Sequence, residues 1–250
     1  MSQDFHVIIP ARLNSSRLPG KLLLKVQGKT ILEFVYQQAQ LAHPASITIA
    51  TDDMQIYELA ESFGADVVMT DASHQSGTDR VAEAANLLGL SEDAKIVNLQ
   101  GDEPQMPPEL IQQVASMLHH PQNDWASLYW PIESSADWYN PNTVKLVMNE
   151  QEQALYFSRS PIPYHRKAPQ SLPKAYRHIG LYAYRHASLQ KFVKAPMSAL
   201  EEFECLEQLR ALSLGMRIQM QKAFTMPGQD INTAADFESF EIFLEKLNFL

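Results

Sequence analysis

The feature that most constrains this 250-residue chain is the order of its apolar runs. Short β-branched runs alternate with stretches whose apolar residues recur at helical spacing. Phe5 to Pro10, Ser46 to Ala50, Asp66 to Met69 and Lys95 to Leu99 read as strands. Thr30 to Leu41, Met54 to Phe63, Asp79 to Leu90 and Pro108 to Leu118 read as helices, the last opening on a proline and the second stopped by Gly64. This alternation implies βαβ units and a mostly parallel sheet. The second half is less regular. Strands are expected over Trp125–Ile132, Thr143–Met148, Arg177–Tyr184 and Arg217–Gln221, a proline-rich loop over about 160–174, one long helix over Leu200–Leu214 and a terminal helix over Thr233–Leu247. The fold class is therefore α/β, a Rossmann-like three-layer arrangement with a smaller mixed portion. The chain is read as a single domain over 1–250, with halves of about 1–120 and 121–250.

Bulk properties narrow the function classes. A net charge of −9 argues against a nucleic-acid-coating surface, whose footprint would be basic, but leaves room for a locally basic pocket. The single cysteine, Cys205, excludes an intrachain disulfide and a cysteine metal cluster, and fits a reducing compartment. The start lacks the pattern of a signal peptide, and no run of about 18 apolar residues predicts a membrane span, so a cytoplasmic protein with no membrane partner is expected.

Two loops carry the chemistry. The first strand runs into Ala11-Arg-Leu-Asn-Ser-Ser-Arg-Leu-Pro-Gly-Lys21. Arg12, Arg17 and Lys21 on one short loop repel each other unless an anion sits among them, and Ser15, Ser16 and Gly20 let backbone N–H groups approach a ligand. A triphosphate satisfies both. The loop is neither GxxxxGK[ST] nor GxGxxG, and a solvated basic loop is the plainer alternative. The fourth strand leads into Gly101-Asp-Glu-Pro104, which sets Asp102 at the carboxyl edge of the sheet, where open α/β folds bind ligands. Mg²⁺ takes oxygen ligands and often only one or two carboxylates. Asp230, before the terminal helix, is a second candidate ligand, although Asp at a helix entry needs no functional reason.

Taken together, Pro10–Lys21, Ala50-Thr-Asp-Asp53, His74-Gln-Ser-Gly-Thr-Asp-Arg80, Asn98-Leu-Gln-Gly-Asp-Glu-Pro104, Tyr156-Phe-Ser-Arg-Ser-Pro-Ile-Pro163, His178-Ile-Gly-Leu-Tyr-Ala-Tyr-Arg185, Leu206-Glu-Gln-Leu-Arg210 and Pro227-Gly-Gln-Asp230 resemble one family in order along nearly the whole chain. That family is CMP-Kdo synthetase, the 3-deoxy-manno-octulosonate (Kdo) cytidylyltransferases. The resemblance implies a nucleotidyltransferase fold, a homodimer, CTP and an acidic eight-carbon sugar as substrates, Mg²⁺ as cofactor and a role in lipopolysaccharide assembly. It implies that Arg12, Arg17 and Lys21 hold the CTP phosphates, that Pro10 and Ala11 belong with them to the nucleotide site, and that Ser76, Gly77 and Arg80 line the cytidine pocket. Asp102 and Asp230 would hold the metal, and Gln100, Arg159, His178, Tyr182, Glu207 and Gln208 the sugar. With Arg12, Arg17, Lys21 and Asp102 in catalytic roles, chemistry would be in-line attack on the α-phosphate without a covalent intermediate.

The residue types agree: an arginine fork suits the sugar carboxylate, and Glu207 and Gln208 suit hydroxyls. Taken singly, Tyr182 and His178 also read as core residues and Glu207 and Gln208 as a solvated face. His74 has the plainer role of shaping its loop. Two departures from the family pattern stand out. Leu22 replaces a proline after Gly-Lys. The segment Gly228-Gln-Asp-Ile-Asn-Thr-Ala-Ala-Asp236 replaces Gly-Val-Asp-Thr-x-Glu-Asp, leaving Ala234 or Ala235 where an acid is expected. The same motifs would serve 8-amino-Kdo or a sialic acid, because a pocket that tolerates an isostere discriminates weakly. A non-catalytic nucleotide-binding protein on this scaffold is the alternative from another class; such a protein would be expected to have lost the carboxylates or cations retained here.

Overall fold

The computed structural model describes residues 4–15, 17–169 and 171–247. Two compact units emerge, one of residues 1–112 with 227–250 and the other of residues 113–226. The expected halves differ in one respect: the C-terminal segment returns to the first unit. Its attachment is specific there, through the Ile231 N–H donated to the Asp102 carbonyl at 2.9 Å and an edge-to-face Phe34–Phe240 pair with centroids 5.3 Å apart.

The first unit contains β1 (Phe5–Ala11), β2 (Lys25–Val26), β3 (Lys29–Thr30), α1 (Ile31–Leu41), β4 (Ser46–Thr51), α2 (Met54–Ser62), β5 (Asp66–Met69), α3 (Gly77–Leu87), β6 (Lys95–Asn98) and α4 (Pro108–Ser116), within which the division falls. The strand order β6–β1–β4–β5 is parallel throughout, with Val7 beside Ile47 and Val97, and Ile49 beside Val67. The expected parallel α/β sheet is present. Every residue of β1 except His6 is buried, as a strand covered on both faces requires. The helices start where side chains satisfy the first free N–H groups. Thr30 caps α1, Asp53 accepts from Gln55 N at 2.8 Å to cap α2, and Ser76 and Asp79 form a reciprocal capping box on α3. The box starts α3 two residues earlier than its apolar pattern indicates. The short hairpin of β2 and β3 carries no alternation long enough to be read from sequence.

The second unit contains β7 (Trp125–Pro131), α5 (Ser135–Tyr139), β8 (Lys145–Met148), β9 (Ala154–Ser158), β10 (Tyr176–Arg185), α6 (His186–Val193), α7 (Ala199–Glu204), α8 (Gln208–Ser213) and β11 (Ile218–Lys222). Its sheet is mixed: β11 lies parallel to β7, while β7–β10, β10–β8 and β8–β9 are antiparallel. Its core is aromatic, with Trp125 4.5 Å from Tyr184 and 4.9 Å from Phe192 between ring centroids. The single helix expected over Leu200–Leu214 is instead two. Cys205 adopts the left-handed conformation (φ 50°, ψ 51°), and the Glu204 and Cys205 carbonyls turn out of the helical ladder to accept from Arg159 at 2.7 and 3.3 Å. Apolar periodicity runs through this break, so it leaves no trace in the pattern.

The chain closes with α9 (Ala234–Leu247) in the first unit, within one residue of the expected start. Among the described residues no helix is long and apolar enough to cross a membrane.

Candidate active site

At the carboxyl end of β1 the chain leaves the sheet into residues 12–20, and the loop folds back on itself through the Gly20 N–H donated to the Leu13 carbonyl at 3.2 Å. Gly20 has φ 67°, a left-handed conformation that costs glycine little, and from it the chain turns Lys21 inward. Gly101 makes a second close approach: a Cβ there would lie 3.0 Å from the Pro10 carbonyl. The two loops press together beside an open cavity of about 360 Å³. Pro10, Arg12, Arg17, Lys21, Gly77, Gln100 and Asp102 line it, joined by Asn14, Gln75 and Asn232, which the sequence reading missed. Ser16 lies outside the described residues.

The cavity is electrostatically divided. Arg12 Nη2 is buried and has no hydrogen-bond partner among the described residues, the state of a cation whose acceptor is a ligand. Opposite charge gathers at Lys21, whose buried ammonium donates to Asp102 Oδ2 at 2.5 Å and to the Ile231 carbonyl at 2.7 Å. Arg17 Nη2 donates to Asn232 Oδ1 at 2.7 Å. The adjacent carboxylates of Gly-Asp-Glu-Pro diverge. Asp102 faces the cavity, whereas one Glu103 oxygen is buried without a partner, and burial, then the charges of Asp102 and Asp230, push the Glu103 carboxyl up to about 8.

Other expected nucleotide residues have structural work. The Ser76 hydroxyl is engaged in the α3 capping box, and of that motif Gln75 and Gly77 face the cavity. Gly77 lies against Gln100 and Pro10, and a Cβ there would meet Gln100 Oε1 and Pro10 Cγ at 3.4 Å, ordinary contact distance. The structure does not bring Arg80 to the cavity. Its guanidinium is fully buried, 2.8 Å from Asp52 Oδ2, and donates to Thr70 Oγ1. Ala11 is buried in β1, and His74 Nε2 lies 2.6 Å from Glu83 Oε2, which holds its loop. Leu22 is buried against Gly101, so the departure from proline fills space rather than carrying chemistry.

The residues expected for the sugar lie in the second unit, Gln100 excepted. On β10, His178 and Tyr182 flank an irregularity in the pairing with β7, with ring centroids 5.2 Å apart. Ser127 Oγ sits 2.9 Å from His178 Nε2 and within 3.0 Å of the Ile179 and Leu181 carbonyls. A hydroxyl has one proton, which it gives to a carbonyl, so it accepts from Nε2–H and leaves His178 Nδ1 free to accept. The Tyr182 hydroxyl is buried with no partner among the described residues, and its phenol is pushed well up, first by burial and then by the charges of Tyr184 and Glu207. Glu207 precedes α8, and Gln208 is buried at its first turn. Arg159 is committed on three sides, giving Nε to the Glu204 carbonyl, Nη1 to Pro141 at 3.0 Å and Nη2 to Cys205. One N–H on each terminal nitrogen remains for a ligand.

The donor set around Lys21 is suited to a hard divalent cation, because it is all oxygen and already stabilises a positive charge. Among the described residues no group of three or more His, Cys, Asp or Glu side chains could cage a metal. The fit is thus to an ion held by one or two protein ligands and substrate phosphates. A phosphate-sized basic cavity beside a carboxylate, at the carboxyl ends of a parallel sheet, defines the nucleotidyltransferase class.

Comparison with known proteins gives the same class. Residues 6–218 match the cytidylyltransferase family model. A 3-deoxy-manno-octulosonate cytidylyltransferase of Legionella pneumophila is 52% identical over 236 residues, 94% of each chain. Another of that name, from Thioalkalivibrio sulfidiphilus, is 47% identical over 95% of this chain and 98% of its own. The solved structure of CMP:2-keto-3-deoxy-manno-octonic acid synthetase complexed with CTP superposes with a TM-score of 0.89 at 38% identity, covering 97% and 99% of the two chains. The chain belongs to the family of 3-deoxy-manno-octulosonate cytidylyltransferases.

Proposed function

We propose that the protein transfers CMP from CTP to the anomeric hydroxyl of Kdo, releasing pyrophosphate, with Mg²⁺ as cofactor. The observation that carries this reading is the buried, unpartnered Nη2 of Arg12 in a cavity that also holds Arg17, Lys21 and Asp102. Arg12, Arg17 and Lys21 bind the triphosphate and offset the charge that grows on pyrophosphate as it leaves. Gly77 and Gln100 shape the wall beside them. When bound, Mg²⁺ polarises the α-phosphate and lowers the pKa of the attacking hydroxyl, and Asp102 would hold it.

For the sugar, the orphaned Tyr182 hydroxyl, the accepting Nδ1 of His178 and the two remaining N–H groups of Arg159 match hydroxyls and a carboxylate. Glu207 and Gln208 complete the set. Large apolar side chains left exposed on the second unit, Phe203 at 82% and Leu155 at 59%, support a homodimer. A cytoplasmic enzyme supplying an activated sugar to lipopolysaccharide assembly is the setting consistent with that reaction.

The test is pyrophosphate release from CTP and Mg²⁺ with Kdo, 8-amino-Kdo or N-acetylneuraminic acid at equal concentration. Release with Kdo far above the other two is expected. Preference for 8-amino-Kdo would keep the mechanism and move the substrate, and silence with all three would overturn the assignment.

A further inference from the structure

Glu204 meets Arg159 at two points. Its carboxylate Oε2 accepts the Arg159 backbone N–H at 2.8 Å, and its carbonyl accepts from Arg159 Nε at 2.7 Å. Main chain and side chain of the arginine are thus both tied to one residue 45 positions away. The second carboxylate oxygen, Oε1, accepts from Ser158 Oγ at 2.6 Å and from the Tyr156 hydroxyl at 3.4 Å. Ser158 Oγ in turn accepts from the Ser160 N–H at 3.0 Å. The carboxylate therefore gathers the end of β9 on both sides of Arg159. Lys145 Nζ donates to the Arg159 carbonyl at 2.5 Å and completes the grip on that main chain.

The charges are partitioned in a way that favours an anionic ligand. The guanidinium donates to the carbonyls of Glu204, Pro141 and Cys205, which are neutral. The Glu204 carboxylate is engaged by a backbone N–H and two hydroxyls instead. A carboxylate paired fork to fork with the guanidinium would occupy the N–H groups that a bidentate ligand needs. Here one N–H on each terminal nitrogen stays available. Glu204 is also the last residue of α7, three positions before Glu207 and four before Gln208. One turn of chain thus joins the anchor of the arginine to the residues proposed for the sugar hydroxyls.

We infer that Glu204 is a positioning residue for sugar binding: it aims the Arg159 fork at the sugar carboxylate and sets its place relative to Glu207 and Gln208. The inference rests on the proposed transfer to an acidic sugar. Glu204 acts through Arg159, so its influence is confined to the carboxylate end of the substrate. Without the carboxylate the Arg159 N–H and the Ser158 hydroxyl lose their shared acceptor, and the fork shifts relative to the rest of the sugar site. Displacement of a substrate-orienting group by a fraction of a bond length is costly to a reaction that depends on positioning.

Pyrophosphate release by the full chain, with CTP and Mg²⁺ saturating and Kdo varied, tests this, alongside the same sugar with its carboxylate converted to the primary amide. Glu204→Gln keeps the size and one acceptor oxygen. It should raise the KM for Kdo by about ten-fold while kcat and the KM for CTP change by less than about two-fold. Arg159→Ala combined with Glu204→Gln should be no worse than Arg159→Ala alone, because the positioned group is already gone. With the amide, the effect of Glu204→Gln should shrink to about two-fold or less, since the charge that the fork meets is absent. A loss that is equal for acid and amide, or that adds in full to Arg159→Ala, would make Glu204 a structural tie only and overturn the inference. So would an unchanged KM for Kdo in Glu204→Gln. Failure of the parent protein to release pyrophosphate with Kdo would overturn instead the reading on which the inference rests.

Discussion

Lys21 Nζ lies 2.5 Å from Asp102 Oδ2, a contact between residues 81 positions apart that joins the basic loop to the acidic one. A cation and an anion this close in a partly enclosed cavity each cancel the other's field until a ligand separates them. In the proposed reaction triphosphate would compete for the ammonium and a divalent cation for the carboxylate. Asp102→Asn keeps the shape and removes the charge, so turnover should fall by about a hundred-fold or more, whereas CTP binding without metal should be nearly unchanged. Near-normal turnover at saturating Mg²⁺ would refute the role of Asp102.

Arg159 ties the end of β9 to the carbonyls of Pro141, Glu204 and Cys205. Its replacement by alanine removes the proposed sugar donor and strands three acceptors. The KM for the sugar should rise at least ten-fold with the KM for CTP changed far less, and the unfolding free energy should fall by about 2–3 kcal/mol. Lysine should not restore either property, because an ammonium cannot present a fork to three carbonyls. Equal effects on the two KM values, measured with one substrate saturating, would remove Arg159 from the sugar's surroundings.

How far the sequence carried these conclusions depends on the length of the interactions involved. The parallel sheet of the first unit was legible because β1 is buried on both faces and each crossover helix has its own cap and apolar stripe. These are local properties of the chain. The basic loop and Asp102 were legible because each lies directly after a strand, where topology dictates the place of the next side chain. Cys205 was not: its left-handed turn is held by Arg159, 46 positions away. Nor was Arg80, which resembles a pocket residue in sequence but is drawn away by Asp52 and Thr70. Asn232 was missed because no local pattern marks it; the burial of Ile231 and the anchoring of the turn by Asp236 bring it to the cavity.

Gly228 is a packing requirement. A Cβ there would lie 2.4 Å from Gln105 Cβ and 1.9 Å from its Oε1, which forces the segment carrying Asp230 to Asn232 away from the Gly-Asp-Glu-Pro loop. Gly228→Ala should lower the unfolding free energy by about 1–3 kcal/mol, the usual cost of overpacking. Metal-dependent turnover should fall with it. Because Gln105 Cβ is itself in the way, Gln105→Ala should not rescue the variant, whereas Gln105→Gly should recover part of the loss. Full stability in Gly228→Ala alone, measured by denaturant titration, would show that the segment yields without cost.

His178 tests the electrostatics of the second unit. Burial pushes its imidazole down to about 3, so the ring is neutral in the folded protein at any working pH. In the unfolded chain it takes a proton near 6.5. Between those two values the unfolded state binds more protons. Its contribution to stability is therefore complete above about 6.5 and is lost as the pH falls toward 3, with a limiting slope of about 1.4 kcal/mol per pH unit. His178→Gln, which retains a donor toward Ser127, should flatten this acid limb relative to the parent protein. The His178 Hε1 resonance should stay unshifted from about pH 8 to pH 5, and kcat/KM should show no ionisation that disappears in His178→Gln. An imidazole held so far below neutrality is a poor general base but a reliable acceptor at Nδ1, which is the property a sugar hydroxyl needs. A titration midpoint between about pH 6 and 7 would reverse that assignment and make the ring a candidate to take the proton from the attacking hydroxyl.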